Sequence, residues 1–593
     1  MNGWYSRSMS PTAFHHVISI ALSFILGHLF WVGPSCSAAA PDLIYHNGSV
    51  VTMDGNETIT EAIAIGGNNI LATGNNQTIL KLADSSTEII DLGGRSVLPG
   101  LIDSHTHPLG AAMIEFDHAI PNLHQISDVL AYIASRTQTV PEGDWIVIQQ
   151  VFITRLKERR YPTRQEMDRV APNHPVIFRT GPDASLNTLA IERAGIRKDM
   201  DVPEGSKVET NPETGEPSGI LRGWSRLLSI PSTGKSPTDK DRQTRLIELM
   251  RDYNANGITG IVDRNASDGA VKIYKRIQED NQLSVRVAIS RSVSNQLDPE
   301  GLVDRIQTIA KEPLHTNRDP FLRTIGVKMF LDGGMLTGSA FLLEPWGTSD
   351  IYGIDDPHYH GIRFISDESL RAAIKAAVKG GLQFTAHSVG DGAVHALIEA
   401  YTFVNQTNPI QSTRPNITHC NFMSPEAIDR MAALGISADI QPVWLYLDSR
   451  TLSKQFPYHR MQYFQPLRPM FEAGVLTGGG SDHMQKIGGL RSINPYNPFL
   501  GMWVAITRKA LDYEGRMHAE HGLTRMQAIR FYTMNNAQLM FLENETGSLE
   551  SGKLADLIEL DRNILTCPEN DIRDIQVLRT FVNGKMVFDS TNR

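Results

Sequence analysis

His105 and His107 stand two apart in LIDSHTHP, and imidazole is a side chain that proteins use to hold divalent cations. In an extended segment residues i and i+2 face the same side, so both rings would meet one ion at a strand's end. The same spacing also occurs as an ordinary polar surface pair. Further reactive side chains follow at wide intervals: Lys328 inside IGVKMFL, His387 in QFTAHS, His419 in NITHCN and Asp482 after TGGGS. Each lies at or just past the end of a separate β-type run. Lys328 reads either as an interior lysine paired with Asp332 or, because a free ammonium is costly inside a protein, as a carbamate that has become anionic. Taken singly, His387 and His419 read as hydrogen-bonded core histidines and Asp482 as a cap for the segment after it. His358, His360, His395 and His483 have no comparable strand-end placement and read as structural, while Asp391 in HSVGD reads as a support for His387. Cys36, Cys420 and Cys567 have no zinc-finger spacing, so any metal falls to His, Asp, Glu or a modified side chain.

The elements that must carry these residues can be read from the runs themselves. LIDSHTH (101–107), TGIVDR (259–264), SVRVAIS (284–290), IGVKMFL (325–331), QFTAHS (383–388), NITHCN (416–421), GISADIQ (435–441) and VLTGGGS (475–481) alternate with helical patterns such as DESLRAAIKAAVKG and SPEAIDRMAAL. That alternation predicts an α/β chain folded as a (β/α)8 TIM-like barrel, whose catalytic groups gather at the C-terminal rim of the strands. The long interval between the first two runs predicts an inserted cap at about 113–255. Short strands with Asn-Gly, Gly-Gly and Pro-Gly turns precede the barrel, and ADLIELD and VLRTFVNGKMVFD follow it, so both termini are expected to build one split β-sandwich. The expected division is a signal peptide at 1–39, sandwich at 40–98, barrel with its insertion at 99–540, and sandwich again at 541–593.

With 593 residues, 41% hydrophobic and 20% charged, the chain can bury a large core, which excludes a disordered or collagen-like body. A net charge of −9 and a pI near 6.1 argue against nucleic acid as a partner and make a small-molecule substrate the default. The apolar run Val17–Val32, preceded by Arg7 and followed by PSCSAAAP, reads as a secretory signal cleaved near Ala38–Ala40. The expected location is periplasmic or secreted, with no membrane span after cleavage. Asn416 begins an Asn-x-Thr triplet, but its place in a buried strand makes it a chance match.

Taken together, SVLPGLIDSHTHP, VKMFLDGGMLTGSA, HSVGDGAVH, THC, GSD and LTRMQAIRFYTMNNA…GSLESGKLADLI resemble the metal-dependent amidohydrolase superfamily and, within it, the YtcJ-like branch (amidohydrolase family 3). The resemblance covers essentially everything after the signal. It implies that His105, His107, carboxylated Lys328, His387, His419 and Asp482 hold one or two divalent metal ions, with zinc expected. It also implies hydrolysis of a non-peptide, amide-like C–N bond by metal-activated hydroxide, with Asp482 as the catalytic base that returns the proton to the leaving nitrogen. Asp183-Ala184-Ser185 stands where relatives carry a segment such as Gly-His-Ala, so no substrate-binding residue is assigned. Trp444, Tyr446, Arg491, Tyr496 and Trp503 fall after strands seven and eight, where they either line a pocket or pack. Two rival readings stand beside this one: a deaminase or cyclic C=N hydrolase of the same superfamily, and a non-catalytic, exoenzyme-regulatory (AepA-like) protein. A homo-oligomer is compatible with any of them.

Overall fold

The computed structural model describes residues 40–149, 151–181, 183–202, 206–225, 228–231 and 234–591. The expected signal at 1–39 lies outside the described residues. Eight strands form one sheet in which every neighbouring pair is parallel: β1 (Leu101–Thr106), β2 (Ile258–Ala266), β3 (Arg286–Ser292), β4 (Leu322–Phe330), β5 (Gln383–Ser388), β6 (Asn416–His419), β7 (Ser437–Ile440) and β8 (Thr477–Gly479). They coincide with the eight predicted runs. Both faces of a parallel barrel strand are covered, which is why these segments read as continuous apolar runs rather than as alternating ones. Helices on the outside start where the sequence supplies caps: Ser267, Asp298, Ser366 and Ser424 each accept an N–H of the first turn. The helix Pro425–Leu434 stops at Gly435, whose left-handed φ of 67° suits glycine.

The ends of the sheet meet where β1 faces the segment after β8. Asp482 N–H donates to the His105 carbonyl at 2.8 Å, and His107 N–H donates to the His483 carbonyl at 2.8 Å. The Asp103 carboxylate accepts the N–H groups of His105 (3.0 Å) and Ser481 (3.1 Å) and the Ser481 hydroxyl (2.6 Å). These bonds bring residues from opposite ends of the barrel sequence side by side at the rim.

Two further sheets make the sandwich. One orders Asn69–Gly74, Ala62–Gly66, Leu43–His46 and Glu88–Asp91; the other orders Lys585–Asp589, Val577–Val582, Leu557–Leu560, Ser96–Pro99, Ser49–Val51 and Ile59–Thr60. Both termini thus share a core that includes Tyr45, Val50, Val97, Leu557 and Phe581. The last hairpin turns at Asn583 and Gly584, both at positive φ (55° and 73°), as a two-residue Asn-Gly turn requires.

Between β1 and β2 the chain builds the cap. A five-stranded sheet orders Lys207–Thr210, Pro217–Arg222, Asp183–Leu186, Val176–Thr180 and Ile146–Ile148, with helices Ile126–Thr137 and Arg164–Val170 beside it. The helix Asp239–Ala255, also inside the 113–255 interval, does something different. It buries Leu246, Leu249, Met250 and Tyr253 with Ile258, Val287 and Leu322, so it shields the barrel wall. Among the described residues, no helix is long and apolar enough to cross a membrane.

Candidate metal centre

The rim of the barrel gathers the residues that the sequence scattered over almost four hundred positions. His105 lies near the end of β1 and His107 just past it, with their Nε2 atoms 3.3 Å apart, and Asp482 Oδ1 lies 3.4 Å from the first and 3.1 Å from the second. From β6, the His419 ring stacks 4.9 Å from His105, and from β5 the His387 ring sits 4.5 Å from His419. Lys328 on β4 is buried with its Nζ 5.5 Å from the Phe330 ring, and Phe330 in turn lies 5.5 Å from His387. All six anticipated residues therefore converge on one region. His419 (φ 82°) and Asp482 (φ 54°) hold left-handed backbone conformations uncommon for residues with a side chain, a form of strain that collects at functional sites.

Hydrogen bonds fix which ring nitrogens face inward. Asp439 Oδ1 accepts from His105 Nδ1 at 2.7 Å and from Gln441 Nε2 at 3.1 Å. With its amide so oriented, Gln441 presents Oε1 to His419 Nδ1 at 2.8 Å. Both histidines thus carry their proton on Nδ1 and keep the Nε2 lone pair for the centre. His387 uses Nε2 to donate to the Gly333 carbonyl at 3.3 Å, which leaves Nδ1 bare. Asp439 is itself held by Asn416 Nδ2 (2.6 Å) and the Thr418 hydroxyl (3.0 Å), and Asn416 is fully buried, in keeping with its reading as a chance sequon.

Electrostatics agree with that picture. Burial pushes His105 and His419 well below the usual imidazole range and His387 down to about 3, so all three are neutral donors at neutral pH. Burial raises the Asp482 carboxyl, against the pull of His107. Burial likewise lowers Lys328 to about 7, outweighing the attraction of Asp439, so a large share of the amine is uncharged near neutrality. The His105 and His107 Nε2 atoms and Asp482 Oδ1 lie within 3.4 Å of one another, close enough to share one proton on His107 Nε2 or, with that proton gone, to turn three lone pairs towards one cation. This donor set fits a divalent metal ion.

Other expectations fared differently. Lys328 has no hydrogen bond or ion pair with Asp332; that buried carboxylate instead accepts the N–H groups of Phe341, Val389 and Gly390 and lies 3.7 Å from His387 Nε2. It, and not Asp391, is the carboxylate beside His387. Asp391 opens the helix Asp391–Asn405 and accepts the N–H groups of Leu343 and Gly392. Trp444 stacks on His419 at 4.8 Å, whereas Tyr496 packs on Tyr253 and His483. Trp503 is buried against Tyr446, while Tyr446 and Arg491 line a separate cleft. Asp183 is spent inside the cap, accepting from Tyr161, Arg222 and Gly223 N–H. Sequence reasoning missed Asp439, Gln441 and Asp103. A lone carboxylate inside the apolar run GISADIQ was the available signal for the first.

A family model described as "Amidohydrolase family" matches residues 88–588. The chain belongs to the amidohydrolase family. It is thus a hydrolase of carbon–nitrogen bonds other than peptide bonds. This amidohydrolase is 27% identical to the N-substituted formamide deformylase of Arthrobacter pascens, over 93% of its own length and 99% of the relative's. It is 24% identical to the putative amidohydrolase YtcJ of Bacillus subtilis, over 92% and 99%. A metal-dependent hydrolase from Pyrococcus furiosus has the same fold, with a TM-score of 0.62 at 22% identity, covering 88% of this amidohydrolase and 100% of that chain.

Proposed function

We propose that this amidohydrolase cleaves the amide-type C–N bond of a small molecule, a non-peptide carboxamide or formamide, at the rim centre. The observation that carries the reading is the convergence of His105 Nε2, His107 Nε2 and Asp482 Oδ1 within 3.4 Å. His105, His107, His387, His419, Asp482 and carboxylated Lys328 would hold one or two ions, zinc first among the candidates. When bound, such an ion supplies Lewis acidity, which lowers the pKa of water and polarises a carbonyl oxygen.

The chain's own groups do the rest. Asp482 would accept the proton of the attacking water at Oδ1 and deliver it to the leaving nitrogen, so that water adds across the C–N bond and the carboxyl returns to its starting state. Asn494 Nδ2 donates to the Asp482 carbonyl at 2.7 Å and keeps that residue in its left-handed turn. The His105–Asp439–Gln441–His419 chain holds both imidazoles in one tautomer. Trp444 covers the outer face of His419.

The test is a screen of metal-loaded protein against N-substituted formamides, N-acyl amines, N-acyl amino acids and cyclic amides, the formamides first because of the deformylase relative. The expected products are an amine and a carboxylic acid in equal amounts. Ammonia released from a ring in place of these products would favour a deaminase, and fully loaded protein inert on every class would overturn the reading. Replacing both His105 and His107 by Ala should abolish bound metal while the fold persists by circular dichroism. We also propose export, on the strength of the Val17–Val32 run; N-terminal sequencing of protein collected outside the cytoplasm should begin near residue 39, and a start at Met1 would refute it.

A further inference from the structure

Between the cap and the loops that follow β7 and β8 lies a cleft of about 690 Å3, within the range of small-molecule sites. One residue joins it to the metal centre. Asn494 donates to Asp482 and accepts from Arg155 Nη1 at 2.8 Å, and Arg155 lines the cleft. Phe152, Tyr446, Leu490 and Leu500 give the walls apolar surface. Several of the cations around it are neutralised in place: Arg155 by Asp448, Arg450 by Asp512 and Arg491 by Glu115.

Lys486 is different. It is only 3% exposed, yet its Nζ donates to two neutral oxygens, the Pro121 carbonyl at 2.8 Å and Asn122 Oδ1 at 3.4 Å. Glu115, whose charge reaches it, is already gripped by both terminal nitrogens of Arg491. An ammonium has three N–H bonds, and these contacts use two. A buried cation held by neutral acceptors alone is expensive. The backbone adds a second cost, because Lys486 sits at φ 58°, a conformation that glycine or asparagine would hold with less strain. Both costs fall on one side chain that lines a cleft beside the metal centre.

We propose that this cleft receives the non-reacting part of the substrate, and that this part is an apolar or aromatic group ending in a carboxylate that pairs with Lys486. The proposal rests on the C–N hydrolase reading in that the reacting amide lies at the rim centre. The carboxylate takes the third N–H and supplies a directly bonded countercharge, which Glu115, gripped by Arg491, gives only at a distance. The apolar walls cover the body of the ligand.

Calorimetry on the full, metal-loaded chain tests this with 4-phenylbutyrate and its neutral isostere 4-phenylbutanamide. The wild-type protein should bind the acid at least about ten-fold more tightly than the amide. Lys486→Met should remove that preference by weakening the acid alone, and Lys486→Arg should retain part of it. Equal affinity of the wild type for acid and amide overturns the proposal without any variant. So does an acid preference that survives Lys486→Met, because the acid is then held by the metal ions. Binding needs no turnover, so the contrast stands or falls separately from the C–N hydrolase reading. With a formamide built on the same acid, the Lys486→Met effect should appear in KM with kcat nearly unchanged, whereas equal losses on acidic and neutral substrates would mark a structural role and sink the idea.

Discussion

Carboxylation of Lys328 would set how many ions the proposed centre holds. Its ammonium cannot ligate a cation, whereas its carbamate offers two oxygens that can bridge a pair, and carbamate formation needs the uncharged amine that burial supplies near pH 7. Lys328→Ala is expected to lower turnover by about 100-fold or more and to reduce bound metal, with partial rescue by a short carboxylic acid. Metal analysis and assay of the variant check this; wild-type metal content and rate would leave a mononuclear site on the histidines and Asp482. His387 yields a pH prediction. Its pKa is depressed by burial from 6.5 to about 3, so the folded state disfavours the protonated form. Metal-free protein therefore keeps this residue's full contribution above pH 6.5 and loses it progressively as the pH falls towards 3. Raised Asp103 and Asp332, each near 7 through burial, act in the opposite sense, so the His387 effect must be isolated by difference. Relative to wild type, metal-free His387→Asn should gain stability between pH 6.5 and pH 4, by at most about 1.4 kcal/mol per pH unit. Denaturant titrations at pH 7 and pH 5 that show the same difference would contradict it.

At the scale of elements, the join of β1 to the end of β8 makes the centre, because it places His105 against Asp482. Glycine at 480 permits the approach: a Cβ there would come within 2.9 Å of His105 N and 3.0 Å of Ser104 Oγ. Gly480→Ala should separate the two segments, cost about 1–3 kcal/mol in denaturant melts and lower bound metal. Gly110→Ala, in the helix Pro108–Met113 with open space around its Cβ position, should leave both unchanged. If the Gly480 variant matches the Gly110 variant, the close approach of the segments does not set the site.

At the scale of the whole molecule, a buried ion pair joins the barrel to the sandwich. Arg286, which opens β3, donates to Asp556 from Nε at 2.5 Å and from Nη2 at 2.8 Å, with both residues fully buried. Asp556 also accepts Asn583 N–H at 2.7 Å and so fixes the last hairpin. Removing one partner strands a buried charge. Asp556→Ala should destabilise the chain by about 3–5 kcal/mol, and Arg286→Met combined with Asp556→Leu should recover part of the loss. Equilibrium unfolding measures both; a cost under about 1 kcal/mol for the single variant would show that the sandwich is held by its apolar contacts alone.

Eight strands, their order and the rim residues His105, His107, Lys328, His387, His419 and Asp482 were legible in the chain because they are local facts: an apolar run, its end, and the polar residue found there. The split sandwich was legible for the same reason, from short strands and turn residues at both termini. Only the folded molecule supplied the groups that orient the site. His105 and Asp439 lie 334 residues apart and share a 2.7 Å hydrogen bond that no spacing announces. Proximity in sequence favoured Asp391 as the support for His387, but the chain turns there into a helix whose first N–H groups need an acceptor, and Asp332 arrives from β4. Tertiary packing also sent Tyr496 to the core and gave helix Asp239–Ala255 to the barrel wall. Strand formation follows from neighbouring residues, whereas the partner of a buried polar group is chosen by barrel closure, which brings distant strand ends within bonding distance.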